Sequence, residues 1–406
     1  MLAEDVPKRF IGLDIHKKYF VAAGVDKKLN QLFISREVPM RYLERWARKN
    51  LTADDAVVVE MTTNTYLVHD TLLPLVHSVT VVHPPHVALI VRAQVKTDRK
   101  AAFSLAQLHA AGLLPGVWIP PLEVRELRAL IAHRRKMVKL ASIAKCRLHA
   151  AAHRHGIDEP EGFEPFSDEM RVWWEALKVS PLEKRCLLSD LATLDFARGQ
   201  VQDIEATIKE LAAQDEQLPL LVQVTGIGLL TGITILKAIG DISRFPSAKQ
   251  LVGYAGLGAR VHASGETYAT GRITKAGRKE LRTAMVEAAH HAVQDHPYFK
   301  VEYQRLSRSI GPKKAMVAIA RKLLVMVWHL LAERAADRHA DPGQVARTMF
   351  AFAHRVRAKN LPNGMSALQF TRNQMDRLGM GQEVLVIPWG TKRFKLPPST
   401  QAAKEK

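Results

Sequence analysis

The sequence predicts an α/β protein: a mixed sheet with helices on its faces, then long helices, then a mostly helical C-terminal part. Three observations lead there. Buried-type apolar runs alternate with helical patterns over residues 9–119. Two later stretches, 122–155 and 187–218, repeat apolar residues by threes and fours. From residue 219 onward, helix-like segments are punctuated by glycine-rich turns. Charge adds a partner class. Of 406 residues, 59 are Lys or Arg and 40 are Asp or Glu, a formal net charge of +19. So strong a bias implies a polyanion, with nucleic acid ahead of an anionic membrane. A membrane span is not expected, because the longest apolar stretch, 315–331, is broken by Arg321 and Lys322. The N-terminus carries no secretory pattern, and the only cysteines, Cys146 and Cys186, are far apart. Both features predict a reducing, cytoplasmic setting.

The first element is the segment RFIGLDIHKKYFVAAGVD, residues 9–26, read as a strand, a short turn and a returning strand. Asp14 stands inside the first strand, where a carboxylate is costly to bury without a positive partner. A divalent cation would meet that need; a neighbouring lysine at a strand edge would also meet it. A helix is expected over 40–49, a buried strand over 56–60 ending in Glu60, a helix over 65–75 and a strand over 78–83. The next helix begins after Thr97, a suitable N-cap, and runs to His109, with Gly112 just past its end. Residues 116–119 read as a short strand. This first domain spans 1–121.

Residues 122–218 form the helical connector. The helix over 122–155 carries a basic face that includes Arg128, Arg134, Arg135 and Lys139. Such a face is either solvated or set against a polyanion; the density of like charge favours the latter. The helix over 187–218 has a coiled-coil-like seam, to be filled by the basic helix or by a second copy. A third domain, 219–340, opens with Val224-Thr225-Gly226-Ile227-Gly228 between two helices, a helix-hairpin-helix-like segment. Gly226 and Gly228 there suit a backbone phosphate. A short helix is expected over 246–257 with Pro246 in its first turn. A polar, basic loop follows over 260–279, and helices over 279–293 and 313–331 complete the domain. Residues 341–406 form an extension with a helix over 345–356 and a basic tail, packed in part through Phe350, Phe352 and Trp389.

Asp14, Glu60 and Asp98 stand at a strand, a strand end and a helix start, and carboxylate oxygens are the ligands that Mg²⁺ takes. Two such ions assist phosphoryl transfer by activating the attacking oxygen and stabilising the leaving one. A fourth ligand would be expected one helical turn on, at 101 or 102, yet both positions are alanine.

The strand Asp-Ile-His-Lys at 14–17, the segment Val-Val-Val-Glu-Met-Thr ending at Thr62 and Lys-Thr-Asp-Arg-Lys-Ala-Ala at 96–102 resemble the RuvC-like N-terminal domain of IS110/IS1111 family transposases. The segments QVTGIGLLTG, FPSAKQLVGYAGLGARVHASG and GRITKAGRKELR resemble that family's C-terminal transposase domain. Together they cover roughly residues 9–300, in the family's order. The resemblance implies a RuvC/RNase H-like sheet and an Asp-Glu-Asp-Asp metal site. Asp14, Glu60 and Asp98 match its first three acids, and the fourth falls on Ala101. It implies a nucleophilic serine, here Ser264, that cuts and rejoins DNA through a phosphoserine intermediate. It also implies a structured, bridge-type noncoding guide RNA, donor and target double-stranded DNA, and a dimer or tetramer acting in a bacterial cytoplasm near the nucleoid. Lys17, Lys18, Lys96, Arg99, Arg260, His262, Arg272, Lys275 and Arg278 are candidate nucleic-acid contacts beside these motifs, together with the basic-face residues and the two turn glycines. Two other readings compete: a RuvC-like junction nuclease, which leaves the C-terminal half idle, and a non-catalytic RNA/DNA-binding protein, which Ala101 would suit.

Overall fold

Alternation of apolar and small residues sets the first strand, β1 (Arg9–Ile15), and the returning β2 (Tyr19–Asp26) pairs with it antiparallel, with Asp14 opposite Val21. The computed structural model describes residues 7–84, 97–264, 267–337 and 339–400. Asp26 closes the next turn by accepting from the backbone of Lys28 and Asn30, which leads to β3 (Gln31–Ile34). The short β4 (Val38–Pro39) also pairs with β2. Helix α1 (Leu43–Asn50) precedes β5 (Asp55–Glu60), and α2 (Thr65–Leu72) precedes β6 (Ser78–Val82). The sheet runs β3-β2-β1-β5-β6, antiparallel on one side of β1 and parallel on the other.

Each face of that sheet has its own cover. Ile11, Leu13, Ile15, Val57, Val59 and Val81 pack with Leu43 and Ala47 of α1 and with Val68 and Leu72 of α2. The other face is closed by α3 (Asp98–Ala110), through Ala102 against Val21 and Ala23 and through Leu105 against Val58 and Val82. Gly12 permits this approach: a Cβ there would stand 2.1 Å from the Ala102 carbonyl oxygen and 2.6 Å from the Ala106 nitrogen. At the other end of β1, Arg9 holds the fully buried Asp55 with two 2.6 Å hydrogen bonds. The strand expected at 116–119 is reduced to a bridge between Val82 and Gly116.

Contacts divide the chain into two compact units, Met1–Pro121 and Leu122–Lys406. The second groups the connector, the glycine-turn region and the extension. Its opening helices α4 (Leu122–Arg154) and α6 (Pro181–Ala213) lie antiparallel, and the short α5 (Arg171–Ala176) sits between them in sequence. Ion pairs Arg134–Glu205, Arg147–Asp190 and Arg154–Glu183 fix their register. The apolar seam of α6 is therefore filled within the chain, by Leu148 and Ala144 near one end and by Ile131 and Leu127 near the other. Helix α6 starts earlier than the apolar repeat suggests, because Ser180 caps it by accepting from the Glu183 nitrogen and Pro181 occupies the first turn. It also ends at Ala213, five residues before the expected 218.

Helices α7 (Leu218–Val222) and α8 (Leu229–Ile239) flank the glycine turn. Gly226 has φ +95°, and a Cβ there would meet the Ala288 carbonyl at 2.5 Å, so the turn is pressed onto the next layer of helices. The short helix α9 is confined to Ala248–Tyr254, leaving Pro246 outside it. The stretch 260–279 is corrected from loop to hairpin: β7 (Ala259–Ser264) pairs antiparallel with β8 (Thr267–Ile273). Helices α10 (Lys279–Asp295), α11 (Pro297–Ile310) and α12 (Pro312–Glu333) complete this layer. Among the described residues α12 is long and apolar enough to cross a membrane, in spite of Arg321 and Lys322; its Ile319, Leu323, Leu324 and Val327 are buried in the unit's own core. The extension folds as α13 (Pro342–Val356), α14 (Ala367–Arg377) and the hairpin β9 (Val386–Trp389) with β10 (Lys392–Lys395). Buried Arg372 donates to the carbonyls of Gly381, Val384 and Pro397 and so ties this module together.

Candidate metal centre and candidate nucleophile

Three side chains converge where β1 leaves the sheet. One donor atom each from Asp14, His16 and Asp98 lies within 4.8 Å of the other two. His16 Nε2 stands 3.3 Å from Asp98 Oδ2 and 3.7 Å from Asp14 Oδ2. Local sequence produces the convergence. Alternation puts Gly12 and Asp14 on the face that α3 covers, and the Gly12–Ala102 approach brings the start of α3 beside them. Thr97 begins α3 by accepting from the Lys100 nitrogen, which sets Asp98 in the first turn. His16 sits in the turn between β1 and β2, its carbonyl held by the Asn64 side chain and its ring stacked on Tyr19 at 4.6 Å. Tyr19 in turn donates to Asp98 Oδ2 at 2.9 Å, and this hydrogen bond to a carboxylate raises the phenol above its ordinary pKa.

Glu60 belongs to the same end of the sheet. The last registered pair of β1 and β5 is Leu13–Val59, so Asp14 and Glu60 each follow it by one residue. Glu60 also alternates with Val58, which faces α3. It lies outside the three-residue cluster. Ala101 is on α3 one turn after Asp98 and offers no donor. A cleft of about 560 Å³ opens beside Asp98, and its wall includes Arg36, Glu37 and Arg99. Two carboxylates and an imidazole whose Nε2 is buried without a hydrogen-bond partner are a donor set that fits a divalent cation.

Ser264 is exposed at the end of β7, opposite Thr267 of β8. The hairpin's base is clamped: the Thr274 nitrogen donates to the Gly258 carbonyl, and Arg260 donates to the Thr274 carbonyl. Gly277, at φ +96°, would drive a Cβ into the Tyr254 carbonyl at 2.2 Å, so the KAGRK stretch packs tightly against α9. Arg260, Arg272 and Lys275 are exposed on or beside the hairpin, and Arg278 lies 3.9 Å from Glu280. Lys17, Lys18 and Arg99 are exposed near the acidic cluster, and Arg135 and Lys139 are exposed on α4. Three of the basic-face residues are engaged inside the protein, Arg135 through a 3.4 Å contact with Glu280. Arg128 donates to the Lys237 and Ala238 carbonyls at the end of α8, and Arg134 pairs with Glu205. Lys96 and the His262 side chain lie outside the described residues. His16 and Tyr19 were not singled out from sequence. The signal was present, an imidazole two residues past a strand aspartate, but its direction depends on a turn held by Asn64.

Two family models match the chain. The IS110-type DEDD transposase model covers residues 11–155, which carry the acidic cluster and α4. The model described as "Transposase IS116/IS110/IS902 family" covers residues 218–304, which carry the glycine turn and the serine hairpin. The chain belongs to the IS110 family of transposases. This transposase is 26% identical over 340 residues, 81% of its length and 91% of the relative's, to the transposase for insertion sequence element IS1111A of Coxiella burnetii. It is 27% identical to a putative transposase, y4qE, of Sinorhizobium fredii, across 86% of this chain and 88% of that one. The pilin gene-inverting protein of Moraxella bovis is also 27% identical, over 80% of this chain and 96% of its own. The enzyme is a DNA transposase/recombinase with a mixed α/β, RuvC-like N-terminal domain.

Proposed function

We propose that this transposase cuts and rejoins donor and target DNA through a phosphoserine link at Ser264, assisted by the acidic centre of Asp14, Glu60 and Asp98 and guided by a structured RNA. The convergence of Asp14, His16 and Asp98 carries the acidic half of this reading. Asp14, His16 and Asp98, with Glu60 at the neighbouring strand end, would hold Mg²⁺ or a related divalent ion. When bound, such an ion supplies positive charge that favours a developing oxyanion. Ser264 Oγ attacks the scissile phosphorus: the Oγ–P bond forms, the bond to the leaving deoxyribose oxygen breaks, and the proton lost by the serine is balanced by one gained by that departing oxygen. The reverse attack by a new deoxyribose oxygen rejoins the strand and frees the serine. Arg260, Arg272 and Lys275 offset charge on the transferring phosphoryl group. Exposed cations at Lys17, Lys18, Arg99, Arg135 and Lys139 suit duplex and RNA backbones, so base pairing reads sequence while the protein reads shape. Strand exchange between two duplexes calls for several active sites, hence a dimer or tetramer.

Recombination of a donor–target plasmid pair in the presence of the element's RNA tests the reading. S264A should abolish product and the covalent protein–DNA adduct seen by mass spectrometry; D14A should abolish product as well. Full recombination by S264A would leave the junction nuclease standing. Binding of RNA and DNA with no Mg²⁺-dependent strand exchange, in both the wild type and A101D, would leave the non-catalytic protein.

A further inference from the structure

The second family model ends at residue 304, and the chain continues into a folded module, α13 to β10, that packs against the glycine-turn region. Between residues 342 and 400 this module carries nine Lys and Arg against two acids. Where α13 meets the start of α8 there is a cleft of about 240 Å³, lined by Gly228, Leu229, Arg347, Thr348, Arg355 and Trp389. Among the described residues no carboxylate lines it. Arg355 Nη1 lies 3.6 Å from where a Cβ of Gly228 would stand, so the guanidinium hangs over the turn. Arg347 and Arg355 stand one above the other on α13, two turns apart.

These two arginines lack the carboxylate partners that several guanidinium groups of the unit have, although Arg347 donates to the Gln344 side chain at 2.8 Å. Arg134, Arg147, Arg154 and Arg171 each reach a carboxylate, whereas among the described residues no ion pair engages Arg347 or Arg355. Both line the same cleft, where an anion would meet two positive charges and, among the described residues, no acid. Trp389 is 42% exposed, although Phe350 braces it edge-on at 5.5 Å. Its placement is fixed by the two-residue turn through Gly390, at φ +58°, that pairs Trp389 with Lys392. An exposed indole on a rigid turn, ringed by Arg347, Arg355 and Lys392, matches the chemistry of an unpaired nucleotide: a base to stack and a phosphodiester to neutralise.

We propose that the C-terminal module, together with the glycine turn, forms a binding cleft for an unpaired stretch of nucleic acid, with Trp389 as the stacking platform and Arg347 and Arg355 as the phosphate contacts. A displaced DNA strand and an RNA loop share this chemistry. The assignment is independent of the serine and of the metal centre.

Fluorescence anisotropy of the full chain with a short unstructured oligodeoxynucleotide, its ribonucleotide counterpart and the matching duplex tests it. W389A and the double variant R347A/R355A should each weaken single-strand binding about ten-fold, W389F should keep most of it, and duplex affinity should move by less than about two-fold. Loss confined to the DNA oligonucleotide identifies a DNA strand as the occupant; loss confined to the RNA identifies the guide; loss of both identifies a shared site. S264A and D14A should lose recombination while keeping single-strand binding, which separates this site from the chemistry proposed above. R347A/R355A alters only exposed side chains and decides the matter even if W389A unfolds. Single-strand binding unchanged in every variant, absent in the wild type, or lost in step with duplex binding would overturn the proposal.

Discussion

His16 occupies the gap in donor count that Ala101 leaves. A carboxylate one turn after Asp98 would complete four oxygen donors; in its absence an imidazole nitrogen points between Asp14 and Asp98. The site then has a mixed nitrogen and oxygen set, which suits Mn²⁺ better than an all-oxygen preference for Mg²⁺ would suggest. H16A should lower Mn²⁺ affinity by about ten-fold or more, and A101D should raise Mg²⁺ affinity, both read by electron paramagnetic resonance of free Mn²⁺ with Mg²⁺ as competitor. Equal Mn²⁺ binding by H16A and wild type would remove the imidazole from the site. Ala101 and Asp98 were legible in the sequence because they belong to one short motif. His16 was not, because the ring's direction is set by Asn64 and Tyr19, which arrive from the far side of β5 and from β2.

At the scale of the element, periodicity located most helices and four strands of the sheet, while β3, the strand order, ion pairing and turn chemistry went unread. The basic face of α4 looked uniform because the acids that answer it lie on α6, some forty to seventy residues on. The serine hairpin read as a loop because glycines and cations hide its two-residue alternation. Helices α11 and α12 show a comparable tertiary tie. Glu302 accepts from Arg305 at 2.8 Å and from Lys322 at 2.9 Å, and these partners pull its carboxyl from 4.5 down to about 2. A depressed carboxyl adds stability above its unfolded value, and that stability fades as pH falls from about 4.5 toward 2. The melting temperature of E302Q should therefore trail the wild type at neutral pH, by a small margin because the pair is at the surface. The gap should close on acidification; a gap unchanged at the acid end would refute the tie.

For the whole molecule, the +19 charge is distributed over two units with different work, an acidic cluster framed by lysines in one and a basic hairpin and module in the other. Binding to duplex DNA should fall steeply with salt. If six or so phosphates are contacted, affinity drops by about a thousand-fold between roughly 50 and 200 mM monovalent salt. A flat salt dependence in filter binding would mean that the charge serves solubility instead. The same titration with R347A/R355A should leave the duplex slope unchanged, because those residues are assigned to unpaired strands.

By itself the sequence determined the α/β class and the family, and it put forward the acids and the serine as candidates, since each resides in a contiguous motif of strand, cap or turn residues. Only the tertiary structure decided that His16 joins Asp14 and Asp98, that α4 and α6 satisfy each other within one chain, and that the extension closes on the glycine turn. Those outcomes depend on which distant segments meet. Close approach is permitted by backbone without a Cβ at Gly12 and Gly226 and then fixed by ion pairs and hydrogen bonds across long separations, none of which leaves a local periodic trace.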